Sequence, residues 1–307
     1  MNFLARLITR PPRSKYQNKC EKEIVLYNDD TTGNRYSVSF KNKRDQTIIG
    51  SFYQAPSPAP GNPCVIYLHG NASSQNEGAH IPYLLCPQGI NVLCIDLSGS
   101  GNSDGEFITL GYNERDDVQA SIDFVRLQYK VGGICLWGRS MGASIAAWCA
   151  ADKFDLSSVV IDSAYLSVDE IINDLIGNSW FLWGLSKILV PIVNIYVKRM
   201  IGISIHDINL IKNLKNARTP ALIIHASHDS FINVREAREM FARYGGSHKY
   251  MMTTRGDHNS KRPRQVQMAI LTFILKNFDI QPDIILDDID DHSNAHYQNA
   301  FDMMKNM

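Results

Sequence analysis

One pentapeptide near the middle of the chain has the residue types of a covalent hydrolytic site. Gly138-Arg139-Ser140-Met141-Gly142 fits G-x-S-x-G, in which a serine stands on a sharp turn between a strand and a helix. Such a turn strains the backbone at Ser140, and side chains at 138 and 142 would collide with neighbouring backbone. The start of the next helix would offer N–H groups to an oxyanion. The pentapeptide predicts a nucleophilic Ser140; the alternative is a tight turn with a structural serine.

A serine hydroxyl becomes a good nucleophile only when a base takes its proton, so a histidine and an orienting carboxylate must accompany it. Where this elbow occurs, the chain order is serine, acid, histidine. Asp229 follows the buried apolar run 221–226 in a polar loop, and His258 lies in a loop just past the run Lys249–Thr253. The sequence therefore predicts a catalytic triad of Ser140, Asp229 and His258.

Other residues compete for these two roles. Asp162 also ends a strand-like run and is the alternative for the acid, whereas Asp257 would point away from its neighbour His258. Packing or loop positions are expected for the histidines that precede Asp229 in the chain, which have the wrong order for the base. These are His69, His80, His206, His225 and His228.

Two backbone N–H groups are needed to hold an oxyanion. Met141 follows the nucleophile and is the first expected donor. The second should come from the loop His69-Gly70-Asn71-Ala72-Ser73, where the glycine permits a close approach. We expect the N–H of Asn71 to be this donor, with Ala72 as the alternative.

A second glycine-rich loop runs from Asp96 to Gly105. Its G-x-G spacing could suggest phosphate binding, but the third glycine and the following helix are misplaced for a dinucleotide site. The chain also lacks G-x-x-x-x-G-K-[ST]. We expect a structural loop beside the active site, with neither cofactor nor metal.

Strand-like and helix-like segments alternate along the chain and predict an α/β sheet with right-handed crossovers. Three short alternating strands come first, at 23–27, 35–40 and 47–53. Near-continuous apolar runs, typical of parallel strands buried on both faces, follow at 64–69, 92–97, 133–137, 158–162, 221–226 and 249–253. Helical stretches lie at about 114–128, 141–152, 234–244 and 263–277.

The segment 168–214 interrupts this rhythm with a strongly apolar centre, Trp180–Val197. Lys187 and Pro191 near its middle argue against a membrane span. We expect a helical insertion that covers the upper edge of the sheet like a cap and walls an acyl-binding pocket. Peripheral contact with lipid through Trp180–Val197 is the alternative.

The two ends differ in charge from the rest of the chain. We expect residues 1–20 to form a basic arm and not a secretory signal, because their apolar block is short. Met1–Tyr16 could touch an anionic membrane or act as a weak transit-like sequence, and the simpler expectation is a frayed, solvated terminus. Residues 279–307 form an acidic tail that we expect to be solvated and disordered, although His292 and His296 invite a metal-site hypothesis.

The composition narrows the classes of protein. There are 31 Lys and Arg residues against 31 Asp and Glu, which argues against a broad nucleic-acid footprint. The six cysteines show no C-x-x-C pair and most lie in apolar runs, so we expect buried reduced thiols and a cytoplasmic protein. Because the triad residues must meet at one site, residues 21–278 are predicted to form one domain.

With these motifs in place, the chain resembles the α/β-hydrolase superfamily over roughly residues 45–278. The resemblance is carried by His69-Gly70-Asn71-Ala72, the pentapeptide around Ser140, Asp229 and Gly256-Asp257-His258. More closely, the sequence is similar to serine-aminopeptidase-like and depalmitoylase-like intracellular hydrolases. The resemblance implies a mostly parallel, eight-stranded sheet flanked by helices, a Ser-Asp-His triad and cofactor-free hydrolysis of an ester, thioester or amide.

Two departures from that pattern bear on the expectations. The chain has one cysteine near its start, Cys20, where the membrane-bound depalmitoylases have a cluster for acylation, so stable anchoring is not expected. Members of the family often have H-G-x-x-D before the acid. This chain has His225-Ala226-Ser227-His228-Asp229 there, without the glycine. That difference concerns the local geometry of the loop rather than the identity of the acid.

The expected function is that of a serine hydrolase that cleaves a carboxylic ester or thioester through an acyl-enzyme, with a small or acylated molecule as substrate. One alternative is a serine exopeptidase or amidase, which needs a fixed charge to hold a peptide terminus. Glu170 and Asp174 are conceivable for that task. The other alternative is a non-catalytic scaffold on a hydrolase fold. The oligomeric state is left open.

Overall fold

The computed structural model describes residues 5–6, 9–17, 20–176 and 179–281 of the 307. In this part of the chain nine strands form one sheet, in the order β1-β2-β3-β5-β4-β6-β7-β8-β9. The strands are β1 Lys22–Asn28, β2 Thr31–Lys41, β3 Thr47–Gln54, β4 Cys64–Leu68, β5 Asn91–Ile95, β6 Ile134–Arg139, β7 Ser158–Asp162, β8 Ala221–Ala226 and β9 Lys249–Thr254.

The sheet has an antiparallel edge and a parallel body. Strands β1, β2 and β3 pair antiparallel, and β3 pairs antiparallel with β5. All pairings from β5 through β9 are parallel. The chain runs from β4 outward to β5 and then returns to place β6 on the other side of β4. This reversal leaves a crevice at the carboxyl ends of β4 and β6, where open α/β sheets bind ligands.

Helices cover both faces of the parallel strands. They are α1 Ile81–Leu85, α2 Arg115–Tyr129, α3 Met141–Ala151, α4 Val168–Ile176, α5 Trp180–Ile201, α6 Val234–Arg243 and α7 Arg264–Asn277. Alternate strand residues feed two separate cores because side chains alternate across a strand: Ile66 and Leu68 face α2 and α3, while Val65 and Tyr67 face α1 and α7. The predicted α/β architecture is therefore confirmed.

The strand count differs from the eight that the resemblance implies. The additional strand is β1 at the edge of the sheet, where alternation had predicted a strand at 23–27. Val25 and Tyr27 are buried on one face of β1, whereas Ile24 and Leu26 are exposed on the other. A strand can be added at the edge of a sheet without changing the pairings of the inner strands. The number of strands expected from a resemblance is therefore most easily wrong at the edge.

The insertion at 168–214 consists of α4, α5 and short 3-10 turns before β8. Helix α5 contains Pro191 and is anchored to the core by Val193 and Val197. No helix of the described residues combines the length and the apolar character that crossing a membrane requires.

The described residues of the N-terminal arm pack against the body of the protein. Thr9 is buried, and its carbonyl oxygen accepts a hydrogen bond from the N–H of Ile108 at 2.7 Å. Arg13 donates to the carbonyl oxygen of Ser103 at 2.9 Å. The expectation of a frayed, solvated arm is therefore wrong for Thr9 and Arg13, because the loop after β5 offers a backbone donor and a backbone acceptor that sequence patterning does not reveal. Residues 282–307, including His292 and His296, lie outside the described residues.

Candidate active site

Ser140 occupies the strained turn that the pentapeptide predicts. It follows β6 directly, with φ 53° and ψ −118°, and α3 begins at the next residue. A Cβ at Gly138 would collide with the carbonyl oxygen of Gly142, and a Cβ at Gly142 would collide with the carbonyl oxygen of Leu68. These collisions confirm the predicted reason for both glycines.

The structure brings the three predicted side chains together. His258 Nε2 lies 2.9 Å from Ser140 Oγ, and His258 Nδ1 lies 2.7 Å from Asp229 Oδ2. Ser140 follows β6, Asp229 follows β8 and His258 follows β9, so all three lie at the carboxyl edge of the parallel strands. With Asp229 accepting from Nδ1–H, the Nε2 lone pair faces the serine hydroxyl, which is the arrangement a general base requires.

Asp229 is built to remain ionised. Burial by itself would raise its pKa, but hydrogen bonds from His258 and from the backbone N–H groups of Ile232 and Phe231 outweigh it, so the pKa lies below the usual value. The N–H groups lie 2.7 Å and 3.0 Å from Oδ1. One carboxylate oxygen is therefore held by the backbone, and the other is directed at the imidazole.

The competing carboxylates have other partners. Asp162 is buried and accepts from Arg262, with Nη2 at 2.7 Å and Nε at 2.9 and 3.0 Å from its oxygens. Asp257 accepts from Ser230 and from the N–H of His258, as expected of a turn residue. Neither carboxylate is therefore in place to orient the imidazole of His258.

The competing histidines serve loops and packing. His225 is fully buried and its Nε2 lies 2.9 Å from the carbonyl oxygen of Ile232, while burial lowers its pKa. His69 Nε2 accepts from the N–H of Leu97 at 3.1 Å and thereby ties two loops together. The side chains of His80, His206 and His228 contact Glu77, Asp169 and Ser227.

The predicted oxyanion donors border the nucleophile. Met141 is the first residue of α3, and Asn71 lines the same cleft as Ser140. A Cβ at Gly70 would lie 3.5 Å from Ser140 Cβ, which shows how closely that loop approaches. The roles of the N–H groups of Met141 and Asn71 stay predictions, because they concern a reaction intermediate.

The glycine-rich loop is organised around the buried carboxylate of Asp96. That carboxylate accepts from the backbone N–H groups of Gln75 and Asn102, at 2.7 and 2.8 Å, and from Tyr16 of the N-terminal arm. Gly101 has φ +48°, and a Cβ there would strike the Asp96 carboxylate. The carboxylate thus ties this loop to the N-terminal arm and to the segment after β4, as a structural loop would.

The cleft at Ser140 has a volume of about 440 Å³. Sequence reasoning missed four of its lining residues, Glu77, Arg139, Phe231 and Asn259. Arg139 occupies a variable position of the motif, so no sequence signal marked it. Phe231 follows the predicted acid by two residues and meets the His258 ring edge-on, with centroids 5.3 Å apart.

The insertion does not form the pocket wall that its apolar character suggested. None of its described residues is among those that line the cleft. Helix α5 instead reaches a smaller pocket through Ile201, beside Glu106 and Phe107 of the loop after β5. The expectation that the insertion walls the acyl-binding pocket is therefore wrong. The apolar content of a helix does not specify the surface against which it packs.

Comparison with known proteins gives the same fold. A family model for serine aminopeptidase, S33, matches residues 60–204, a stretch that contains the elbow and ends before Asp229. The esterase Pf2001 of Pyrococcus furiosus superposes with a TM-score of 0.66 at 22% identity, covering 87% of this chain and 98% of that one.

These matches show that the chain has the α/β-hydrolase fold. Among curated relatives, the uncharacterized protein YfhR of Salmonella typhimurium is 31% identical over 163 residues, 48% of this chain and 54% of its own length. Human protein ABHD12B is 24% identical over 193 residues, 59% of this chain and 49% of its own length. The chain thus spans about half the length of these relatives.

Proposed function

We propose that this protein of α/β-hydrolase fold is a serine hydrolase that cleaves a carboxylic ester or thioester through a covalent acyl-enzyme. The observation that carries the proposal is the continuous hydrogen-bonded chain from Asp229 through His258 to Ser140, where Ser140 stands on a strained elbow and lines a cleft with His258. Hydrogen bonding between nucleophile and base, and between base and orienting acid, is the geometric signature of nucleophilic catalysis.

The first half of the proposed reaction forms the acyl-enzyme. Nε2 of His258 takes the proton of Ser140 Oγ as that oxygen attacks the substrate carbonyl carbon, and Asp229 stabilises the resulting imidazolium. The N–H groups of Met141 and Asn71 hold the oxyanion. Collapse of the tetrahedral intermediate breaks the bond to the alcohol or thiol, which leaves with the proton carried by His258.

The second half releases the acid. Water enters the site, gives a proton to Nε2 of His258 and attacks the acyl carbon. A second tetrahedral intermediate forms at the same oxyanion position. Its collapse returns the proton to Ser140 and frees the carboxylic acid, so the enzyme is regenerated without an external reagent.

One aromatic residue in the lining of the cleft favours an ester or thioester with an apolar part. Phe231 is 49% exposed beside His258 and offers an aromatic surface next to the reacting atoms. The esterase name of the superposed Pyrococcus furiosus protein agrees with this class. Because the insertion does not line the cleft, we assign acyl binding to the residues of the cleft itself.

The exopeptidase alternative rests on a different residue from those the sequence suggested. Arg235 binds Glu170 at 2.9 Å and Asp174 at 3.2 Å, and neither carboxylate lines the cleft. Glu77 does line it, and its carboxylate is held by Tyr67 at 2.7 Å. A carboxylate in that place could hold a peptide ammonium group, so aminoacyl substrates belong in the test.

Labelling with a fluorophosphonate tests the proposal directly. We expect the full chain to be labelled, Ser140→Ala to be unlabelled, and the exposed-loop control Ser57→Ala to be labelled as the wild type. Ester turnover should fall by roughly four to six orders of magnitude in Ser140→Ala. Equal labelling of Ser140→Ala and wild type would disprove the nucleophile, and no labelling of a folded wild type would favour the scaffold.

A substrate panel then separates the two enzymatic alternatives. Acyl esters, acyl thioesters and aminoacyl amides are compared by kcat/KM with the same preparation. Preference for esters or thioesters supports the proposal. Preference for aminoacyl amides would instead assign the protein as an exopeptidase or amidase.

A further inference from the structure

The outward face of helix α5 is the feature that the proposed catalysis leaves unexplained. Its exposed apolar side chains include Ile188 at 63% and Trp183 at 57% exposure. Leu185, Ile192 and Ile195 are also exposed. A contiguous exposed apolar surface on one element is uncommon in soluble proteins and marks a site of interaction.

The spacing of these side chains places most of them on one stripe. Leu185, Ile188, Ile192 and Ile195 follow one another at intervals of three and four residues, so they share one side of the helix. Val193 and Val197 are buried in the core. One face of α5 therefore fastens the helix to the protein while another presents branched aliphatic side chains outward.

The charges of α5 are of one sign. The helix carries Lys187, Lys198 and Arg199 and contains no Asp or Glu. The ammonium group of Lys187 lies 5.1 Å from the ring centre of the exposed Trp183. Apolar side chains flanked by basic ones, with an indole among them, are what the interface of an anionic bilayer accommodates.

The fold places this helix on the side where a lipid-borne substrate would arrive. The insertion leaves the sheet after β7, at the carboxyl edge that also carries Ser140, Asp229 and His258. Ile201 at the end of α5 lines a pocket with Glu106, to which Arg10 of the N-terminal arm binds at 2.9 Å. The basic arm and the basic end of α5 thus lie next to the same pocket.

We propose that α5 docks this protein onto the surface of a bilayer containing anionic lipid, with the helix lying in the interface. A second copy of the chain is a poorer occupant, because two faces bearing Lys187, Lys198 and Arg199 would repel each other. The docking does not depend on the proposed catalysis, so it can be tested on an inactive protein.

Co-flotation of the full chain with vesicles tests the docking. We expect binding to phosphatidylcholine vesicles that contain about 30% phosphatidylserine, weak binding without it, and loss of binding at about 1 M salt. Ser140→Ala should bind as the wild type, which separates this test from the test of catalysis. Tryptophan emission should shift to the blue on binding, and less so in Trp183→Phe.

Two variants address the two parts of the surface. Replacing Leu185, Ile188 and Ile192 by Ser should lower vesicle binding more than tenfold, since three of the four aliphatic residues of the stripe are lost. The charge reversal Lys187→Glu with Lys198→Glu should lower it roughly tenfold on anionic vesicles only. The matched controls are Leu127→Ser on α2 and Lys276→Glu on α7, both exposed, and both should bind as the wild type.

Several outcomes would overturn the docking. The wild-type chain could fail to float with anionic vesicles, or both α5 variants could float as well as their controls. Sedimentation could also show a dimer that the Ser substitutions dissociate, without vesicle binding, which would assign the face to a second copy. Circular dichroism of each variant verifies that lost binding is not lost folding.

Discussion

Arg139 joins the strand that carries the nucleophile to the loop that carries the base. Its Nη2 donates to the carbonyl oxygens of His258 and Ser260, at 2.8 and 3.1 Å. A guanidinium can hold two carbonyls at once because its donors form a rigid, planar fork. The residue next to Ser140 in the chain therefore positions the loop of His258, from 119 residues away.

Replacing Arg139 tests this positioning role. We expect Arg139→Met to lower kcat by roughly ten- to a hundredfold, because small displacements of a base cost about that much. Arg139→Lys should recover part of the loss, since an ammonium can reach one carbonyl. Both are measured as kcat and KM on the best ester of the panel.

The surface variant Arg126→Met, which loses contacts to Asp155, is the matched control and should keep its kcat. Thermal melting of each variant separates misplacement of His258 from general destabilisation. If both Arg139 variants kept the wild-type kcat, Arg139 would have no role in positioning His258.

At the scale of elements, helices α4 and α6 meet through a cluster of charges. Arg235 on α6 binds Glu170 and Asp174 on α4. Its neighbour Glu236 is 1% exposed and accepts from the N–H of Leu166 at 3.0 Å. Burial first, and the negative charges of Glu170 and Asp174 after it, raise the pKa of Glu236 to about 7.

This raised pKa makes stability depend on pH. Between the pKa of an unfolded glutamate, about 4.3, and about 7, the folded protein binds more protons at Glu236 than the unfolded chain does. Its contribution to the free energy of unfolding therefore falls as the pH rises through this window. We expect Glu236→Gln to flatten the decline in Tm between about pH 5 and pH 8, by a few degrees.

The partly exposed Glu239 on the same helix provides the control, because Glu239→Gln removes a carboxylate that is paired with Arg243 near the surface. It should leave the pH dependence of Tm unchanged. Parallel Tm curves for wild type and Glu236→Gln would mean that Glu236 titrates normally in the folded protein.

At the scale of the whole molecule, the exposure of the cysteines shows how well the two hydrophobic cores are shielded from solvent. Five of the six are at most 1% exposed, whereas Cys20 is exposed, and none forms a disulfide. Burial raises the pKa of the Cys86 and Cys135 thiols to about 12. The predicted buried thiols are thus confirmed for every cysteine except Cys20.

Thiol titration with Ellman's reagent checks this arrangement. We expect about one reactive thiol in the native protein and all six in denaturant, since only thiolates that the reagent can reach react. Cys20→Ser should show none in the native state. Rapid reaction of further thiols in the folded protein would mean that a core opens on the timescale of the assay.

Patterns among neighbouring residues predicted most of the secondary structure and the residues of the candidate triad. The alternation of strands and helices, the elbow at Gly138–Gly142 and the order of Ser140, Asp229 and His258 all follow from residues near one another or from chain order. Burial of a strand on two faces leaves a continuous apolar run, and a turn with positive φ demands glycines around it. Such constraints act over a few residues, so the local sequence is enough to predict them.

The tertiary structure alone decided which distant groups meet. Asp162 and Asp229 both lie at the carboxyl edge of the strands, and the sequence favoured Asp229 while keeping Asp162 as the alternative. Arg262, 100 residues beyond Asp162, binds Asp162 and leaves Asp229 to orient His258. The sequence likewise did not determine which surface the apolar face of α5 meets. The hydrophobic effect favours removal of apolar area from water but does not depend on which apolar surface covers it. Pairing across the sheet depends on its strand order, and that order is a property of the whole fold rather than of any segment.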